Sequence, residues 1–137
     1  MKVSILDEIN AQVFTEILNK DNISLSLIRR KFKCNPMIYL LTSGEREKLI
    51  YGYCIYIVKN DTVRIICVIC DSKFFNIFFA QLEENWKKYH EVNFILYSES
   101  KLEPFIQKQY KIQNFNWVEK TIHMYKKFER NPRLVYN

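Results

Sequence analysis

Residues 48–83, KLIYGYCIYIVKNDTVRIICVICDSKFFNIFFAQLE, constrain the fold more than any other stretch. Leu49–Val58 and Thr62–Cys70 are runs dominated by Ile, Val, Tyr and Cys, types that suit a half-buried pleated surface. Asn60 and Asp61 between them supply a two-residue turn. The expected register sets Lys59 against Thr62, Tyr56 against Ile65, Cys54 against Cys67 and Gly52 against Ile69. Immediately afterwards Phe74, Phe75, Phe78, Phe79, Leu82 and Trp86 recur at helical spacing and form one broad apolar face. Gln81, Glu83, Glu84, Lys87 and Lys88 fall on the opposite side, and Asp71 or Ser72 is placed to cap the helix. A hairpin running into such a helix leaves apolar surface that further elements must cover.

The rest of the chain is sufficient for that. Its 137 residues, 48% of them hydrophobic, can build a single domain over 1–137 with a real core. Gly 2 and Pro 3 leave little room for linkers, and only about 130–137 reads as a tail. The opening MKVSILDEIN meets acids too early for a leader's apolar segment, and no apolar run is long enough for a membrane span. Cys34, Cys54, Cys67 and Cys70 do not make a small-domain disulfide framework. The expectation is a cytoplasmic, reduced protein with no membrane partner. The net charge of +6 admits nucleic acid or another anionic partner and equally suits plain solubility.

Taken in order, 2–6 reads as a strand and Asp7 caps a helix from Glu8 to Lys20, broken by Asp21 and Asn22. Ser24 or Ser26 caps a shorter helix to Phe32, whose cluster Arg29, Arg30, Lys31 and Lys33 is a solvated face or an anion site. Met37–Leu41 is a strand and 42–47 a polar loop. Beyond the central unit, 92–97 is a strand, Lys101–Tyr110 a helix, and 115–128, with its alternation of side-chain character, a long final strand. The expected order is β-α-α-β-β-β-α-β-α-β, an α+β (mixed α/β) fold with helices on both faces of a central mixed sheet. The strand-helix-strand unit at 62–97 requires its two strands to lie side by side and parallel. Ligands in such sheets gather beyond the carboxyl ends of the parallel strands, here Cys70–Asn76 and Ser98–Lys101.

This layout resembles the GNAT superfamily of N-acetyltransferases over about residues 2–128. EKLIYGYCIYIV is similar to the family's third strand, with Gly52 in the place of its glycine; RIICVICDSKFFNIFFAQLEE is similar to the fourth strand, pyrophosphate loop and following helix. SESKLEPFIQKQYKIQ resembles the later helix and FNWVEKTIHMYKKF the closing strand. The family's Arg/Gln-x-x-Gly-x-Gly/Ala signature reads Lys73-Phe74-Phe75-Asn76-Ile77-Phe78 here, keeping a basic first position and replacing the glycines. The tyrosine that often serves as general acid would fall at Ile106, one turn before Tyr110, and strand 62–70 holds no glutamate.

The resemblance implies an acyl-CoA-dependent N-acyltransferase acting on a small-molecule or protein amine, with acetyl-CoA or another acyl-CoA as donor. The expected donor-binding residues are Val68, Ile69, Cys70, Lys73, Phe74, Phe75 and Asn76, the last four at a helix N-terminus whose N–H groups suit phosphate. The ordinary reading of that terminus is a first-turn surface. Tyr110 is the candidate acid, and His123 with Glu119 the candidate base on the last strand; an unremarkable sheet-face histidine is the competing reading. Tyr51, Tyr53 and Tyr56 flank the expected acceptor region, and His90 reads as a surface residue. Cys67-x-x-Cys70 is not read as a metal or redox motif, since residues three apart on a strand point to opposite faces and no second ligand pair is present. The altered glycines give the alternative: a catalytically inactive GNAT-like domain that binds a protein, a second copy of itself or nucleic acid.

Overall fold

The computed structural model describes residues 2–44, 49–97, 111–116 and 121–128, with 8, 9, 94–97, 111–116 and 121–125 described by backbone alone. The elements are β1 (Lys2–Ile5), α1 (Glu8–Lys20), α2 (Leu25–Phe32), β2 (Met37–Thr42), β3 (Ile50–Lys59), β4 (Thr62–Cys70), α3 (Phe75–Trp86), β5 (Glu91–Tyr97), β6 (Lys111–Asn116) and β7 (Thr121–Lys127). The strands form one sheet in the order β1-β2-β3-β4-β5-β7-β6. Neighbours are antiparallel except β4 and β5, which run parallel as the crossover requires. No helix among the described residues is long and apolar enough to cross a membrane.

Local chemistry accounts for the helix ends. Asp7 Oδ1 accepts from the Asn10 N–H at 3.0 Å and Ser24 Oγ from the Leu27 N–H at 3.3 Å, each satisfying a first-turn donor. At the other end of α1 the chain turns through Asn22 at φ 57, a left-handed position that asparagine tolerates. The helix expected over Lys101–Tyr110 lies outside the described residues. The single strand expected over 115–128 is a correction: Phe115 and Asn116 close β6, and β7 returns antiparallel beside it, with Asn116 paired to Thr121. Side-chain alternation has the same period in both arms of a hairpin, so it does not show where the chain reverses.

The β3–β4 hairpin turns at Asn60 and Asp61, both with positive φ (54 and 60), a combination that matches a type I′ turn. Lys59 faces Thr62 and Tyr56 faces Ile65, as the sequence implies. Beyond that point Ile55 pairs with Cys67, Cys54 with Val68 and Gly52 with Cys70, leaving Ile66 as an unpaired bulge residue. This corrects the Cys54–Cys67 and Gly52–Ile69 pairings. Ile66 is one more apolar residue in an apolar run, so no break in pattern marks the insertion. The bulge sends both Ile66 and Cys67 into the core under α1 and α2, with Phe14, Leu18, Leu40, Tyr53 and Ile55. Cys54 lies in the opposite core, where Phe75, Phe78, Phe79, Leu82 and Trp86 of α3 cover Leu41, Tyr56, Val63, Ile65 and Val92.

Two contacts fix α3. Trp86 meets Tyr56 and Phe79 edge-on, at centroid separations of 5.2 and 6.2 Å. Glu83, expected on the polar face, is instead buried and takes a 2.6 Å ion pair from Lys126 of β7. The sheet extends past the helix on this side, so a residue on the flank of the apolar face is covered by β7.

Gly52 is a point of close approach between the third and fourth strands. A Cβ built there would lie 2.8 Å from both Cβ and Sγ of Cys70 and 3.1 Å from its Cα. Gly52→Ala should therefore lower stability by about 1–3 kcal/mol in urea denaturation. Adding Cys70→Ala should not restore it, because the clashing Cβ remains; full recovery in the double variant would refute the close-approach account.

Candidate functional site

β4 changes partners along its length. On one side it stays hydrogen-bonded to β3 as far as Gly52–Cys70. On the other it pairs with β5 only through Thr62–Glu91, Val63–Val92, Arg64–Asn93 and Ile65–Phe94. From there β5 continues as the partner of β7 through Ile95, Leu96 and Tyr97. Among the described residues the carboxyl half of β4, Ile66–Cys70, thus has no ladder partner on its β5 side. A gap opens between the two strands, and it starts at the bulge. No described strand takes up the backbone groups on that edge of β4.

The connection from β4 to α3 lies at the same end of the sheet. The Asp71 N–H continues the ladder to the Tyr51 carbonyl at 3.3 Å. Asp71 Oδ1 accepts from the Lys73 N–H at 3.1 Å, and the Phe74 N–H bonds the Asp71 carbonyl at 2.9 Å. The N-cap of α3 is Phe74, with no side-chain cap bond and no acid in the first turn. The expectation that Asp71 or Ser72 caps α3 is corrected here: the Asx turn at Asp71 uses its carboxylate one turn too early. The first-turn N–H groups of α3 are left for water or an anion, at the positive end of the helix dipole.

The two glycine positions of the signature are held by Phe78, turned into the core, and by Asn76, exposed at the terminus. The side chains of Phe75 and Phe78 are buried in the α3 core, and Phe74 is half-buried against Tyr51 at 5.2 Å between ring centroids. Lys73, Asn76 and Ile77 are exposed. Val68 and Cys70 pack against the α3 core, while Ile69 is exposed. The seven expected donor-binding residues are therefore brought together around one end of β4.

The expected acid–base residues fare differently. Tyr110 and Glu119 lie outside the described residues. His123 is in β7, opposite Ile95 of β5 and Asn114 of β6, level with the stretch where β5 has left β4. His90 is exposed, with its backbone bridging Asp61 and Phe128. The three tyrosines separate: Tyr51 lines the mouth beside Phe74, whereas Tyr56 is buried away from it, stacked on Tyr39 at 5.5 Å. Tyr53 is buried under α1 and donates a 2.6 Å hydrogen bond to Asp21 Oδ2. Sequence reasoning treated Asp21 only as a helix breaker; an acid at the negative end of a helix was the signal available.

The cysteines are all free thiols, with Cys67 and Cys70 in cores on opposite faces. Among the described residues no group of three or more His, Cys, Asp and Glu could hold a metal.

No protein-family model matches the sequence, and no curated protein is similar enough in sequence to count as a match. Solved structures do match. The ribosomal-protein alanine N-acetyltransferase of Escherichia coli superposes with a TM-score of 0.68 at 10% identity, over 95% of this chain and 95% of that one. A spermidine N-acetyltransferase from Vibrio cholerae gives 0.65 at 10% identity, over 93% and 95%. An N-acetyltransferase from Thermoplasma acidophilum, solved with coenzyme A, gives 0.63 at 9% identity, over 93% and 100%. The chain has the GNAT fold, a central mixed sheet flanked by helices.

Burial shapes the protonation of the groups on β3 and β4. It pushes the Cys67 thiol from 9.0 up to about 11, with help from the Asp21 charge, and the Cys70 thiol from 9.0 up to about 11, with help from Asp71. Cys54, Tyr53 and Tyr56 are also raised, chiefly by burial. The folded state holds these protons at pH values where the unfolded chain releases them. Stability from this source is complete below about pH 9 and is lost as pH rises through about 11. Melting temperature should stay level from about pH 7 to 8.5 and fall by several degrees by about pH 10.5. Cys67→Ala should flatten that fall; a fall as steep as in the parent chain would remove Cys67 from its cause.

Proposed function

We propose that this protein is an acyl-CoA-dependent N-acyltransferase. One observation carries the reading: β4 and β5 separate after Ile65 and Phe94, at the end of the sheet where the side-chain-uncapped N-terminus of α3 begins. A gap between parallel strands beside a free helix N-terminus accommodates a long ligand with a phosphate end. The phosphate end suits the first-turn N–H groups, with exposed Lys73 and Asn76 beside them. The apolar edges of Val68, Cys70, Tyr51 and Phe74 suit the uncharged arm. The fold shared with N-acetyltransferases supports the same reading.

Bound acyl-CoA supplies an activated thioester carbonyl, so the chain needs no nucleophile of its own. Its first task is placement, holding that carbonyl in the gap where an amine can approach. Its second is electrostatic: N–H groups on the β5-facing edge of Ile66–Cys70, which no described strand takes up, are fixed donors for the negative charge that develops on the carbonyl oxygen. His123 and Glu119 are the candidate base for the amine, and Tyr110 is the candidate donor to the departing thiolate. Asn76, exposed where the signature has a glycine, favours an alternative, a GNAT-like domain without turnover. In that case the gap serves binding alone.

Calorimetric titration with acetyl-CoA and with free CoA tests the proposal. Saturable heat is expected for both, and its absence at millimolar ligand would remove the acyltransferase reading. Lys73→Glu should weaken CoA binding by about tenfold through lost attraction and added repulsion at the helix terminus, with the melting temperature unmoved. An unchanged affinity would place the phosphates elsewhere.

A further inference from the structure

On the α3 side of the sheet, Lys87 and Lys126 each meet a carboxylate at 2.6 Å. On the α1–α2 side a larger group of cations meets none. Leu25 and Ile28 of α2 pack on the core under α1, and Phe32 is half-buried, so these three mark the inner edge of the helix. Arg29, Arg30 and Lys31, between Ile28 and Phe32, are exposed. Lys33 follows as the C-cap at φ 57 and ψ 31, a left-handed position where glycine or asparagine is usual. The negative end of the helix dipole favours cations in this last turn. It does not account for those that the sheet adds. Arg64 of β4 is exposed and lies over the Phe32 ring at 5.2 Å, against the same ring that Lys31 meets at 5.6 Å. One ring thus holds two like charges from separate elements.

Strand register carries the charge further. Arg64 pairs with Ile57, and Lys59 is two residues along β3, on the same side. In that row Lys59, Thr62, Glu91 and Lys127 follow one another across β3, β4, β5 and β7. Lys126 is turned to Glu83 under α3, so Lys127 faces the α2 side. Lys59 and Lys127 are both exposed. Among the described residues none of the cations on this side makes an ion pair. The acids nearest them in the sheet are Asp61, in the hairpin turn, and half-buried Glu91. Like charges collected in this way oppose folding, and departures of this kind mark positions kept for something other than stability.

We infer that this surface binds the phosphate backbone of a nucleic acid duplex. The inference stands apart from the acyltransferase reading, because Arg64 and Lys59 lie at the hairpin end of β4 and the gap opens at the other. The eight residues of α2 rise about 12 Å, and the row from β3 to β7 crosses about 14 Å. Cations spread over that extent fit a repeating anion, not a single one. Surfaces for single strands add exposed rings on which bases stack, whereas the Phe32 ring is covered by its two cations. Of the large exposed apolar residues only Leu27 belongs to α2, which leaves no apolar face to enter a bilayer. The array is made of cations that suit phosphates, so binding follows the backbone and not the base sequence.

The test is fluorescence anisotropy of labelled duplexes of about 20 base pairs, one DNA and one RNA, titrated with the full chain between about 50 and 200 mM salt. Both should bind, within about fivefold of each other and without sequence preference, and log affinity should fall against log salt with a slope of about −4 to −6. The variant with Arg29→Gln, Arg30→Gln and Arg64→Gln should lose at least about tenfold in affinity, and its slope should shrink by about three. Arg64→Lys keeps the charge and should stay within about twofold of the parent. Lys87→Gln with Lys88→Gln removes charge from the α3 side and should change affinity by less than about threefold. An equal loss per charge in the two sets would trace binding to net charge alone and overturn the inference. So would no binding at the lowest salt, a single strand held more tightly than the duplex, or capture by phosphatidylserine vesicles without duplex binding. The substituted side chains are exposed, so melting temperatures should not move. If the triple variant melts early, Lys59→Gln with Lys127→Gln takes its place, with a slope smaller by about two; an unchanged slope there would overturn the inference.

Discussion

The structure depends on β4 having two neighbours of unequal reach. Its bonds to β3 run from Lys59–Thr62 to Gly52–Cys70, whereas its bonds to β5 stop at Ile65–Phe94. A parallel ladder closed along its whole length would leave no opening in a sheet with helices on both faces. The bulge at Ile66 coincides with the separation, as extra twist at that point would produce. The first half of β4 is paired on both sides, whereas the second half is paired, among the described residues, to β3 alone.

The two cores keep that opening in place. On one face α3 sets its Phe and Trp side chains against β3, β4 and β5, and the Lys126–Glu83 pair ties it to β7, on the far side of the gap. The helix therefore bridges both strand groups, and its N-terminus stays at the mouth. On the other face α1 and α2 cover β2, β3 and the bulged half of β4. The Tyr53–Asp21 bond joins this cover to the sheet. Burial of the phenol makes it a dependable donor, because its proton is not lost at any ordinary pH.

Much of the layout was legible from residue order. The Asn60–Asp61 turn, the long strands either side, the caps Asp7 and Ser24, and the apolar face from Phe74 to Trp86 all use local rules, and each stands where those rules put it. Apart from the α3 cap, which a local turn at Asp71 displaces, the errors share one cause. Ile66, Glu83 and the break between Asn116 and Thr121 are decided by what lies across the chain. An apolar run does not announce a bulge, and a helix flank does not announce a seventh strand beside it. The candidate site follows the same division. Its location at the carboxyl end of β4 follows from parallel-strand topology, and Lys73 to Asn76 were legible as a helix start. The Asp21–Tyr53 bond was not, since its partners are thirty-two residues apart in sequence.

The sequence by itself determined the strands and helices from β1 to β5 and most of the faces they bury, because side-chain period and β-branching act over a few residues. It also determined that a strand, helix and strand at 62–97 would set two strands parallel. Only the tertiary structure decided how far those strands stay together, which core Cys54, Cys67 and Cys70 enter and which phenol holds Asp21. Those outcomes depend on register across strands and on contacts between distant residues, where one inserted isoleucine shifts every pairing beyond it.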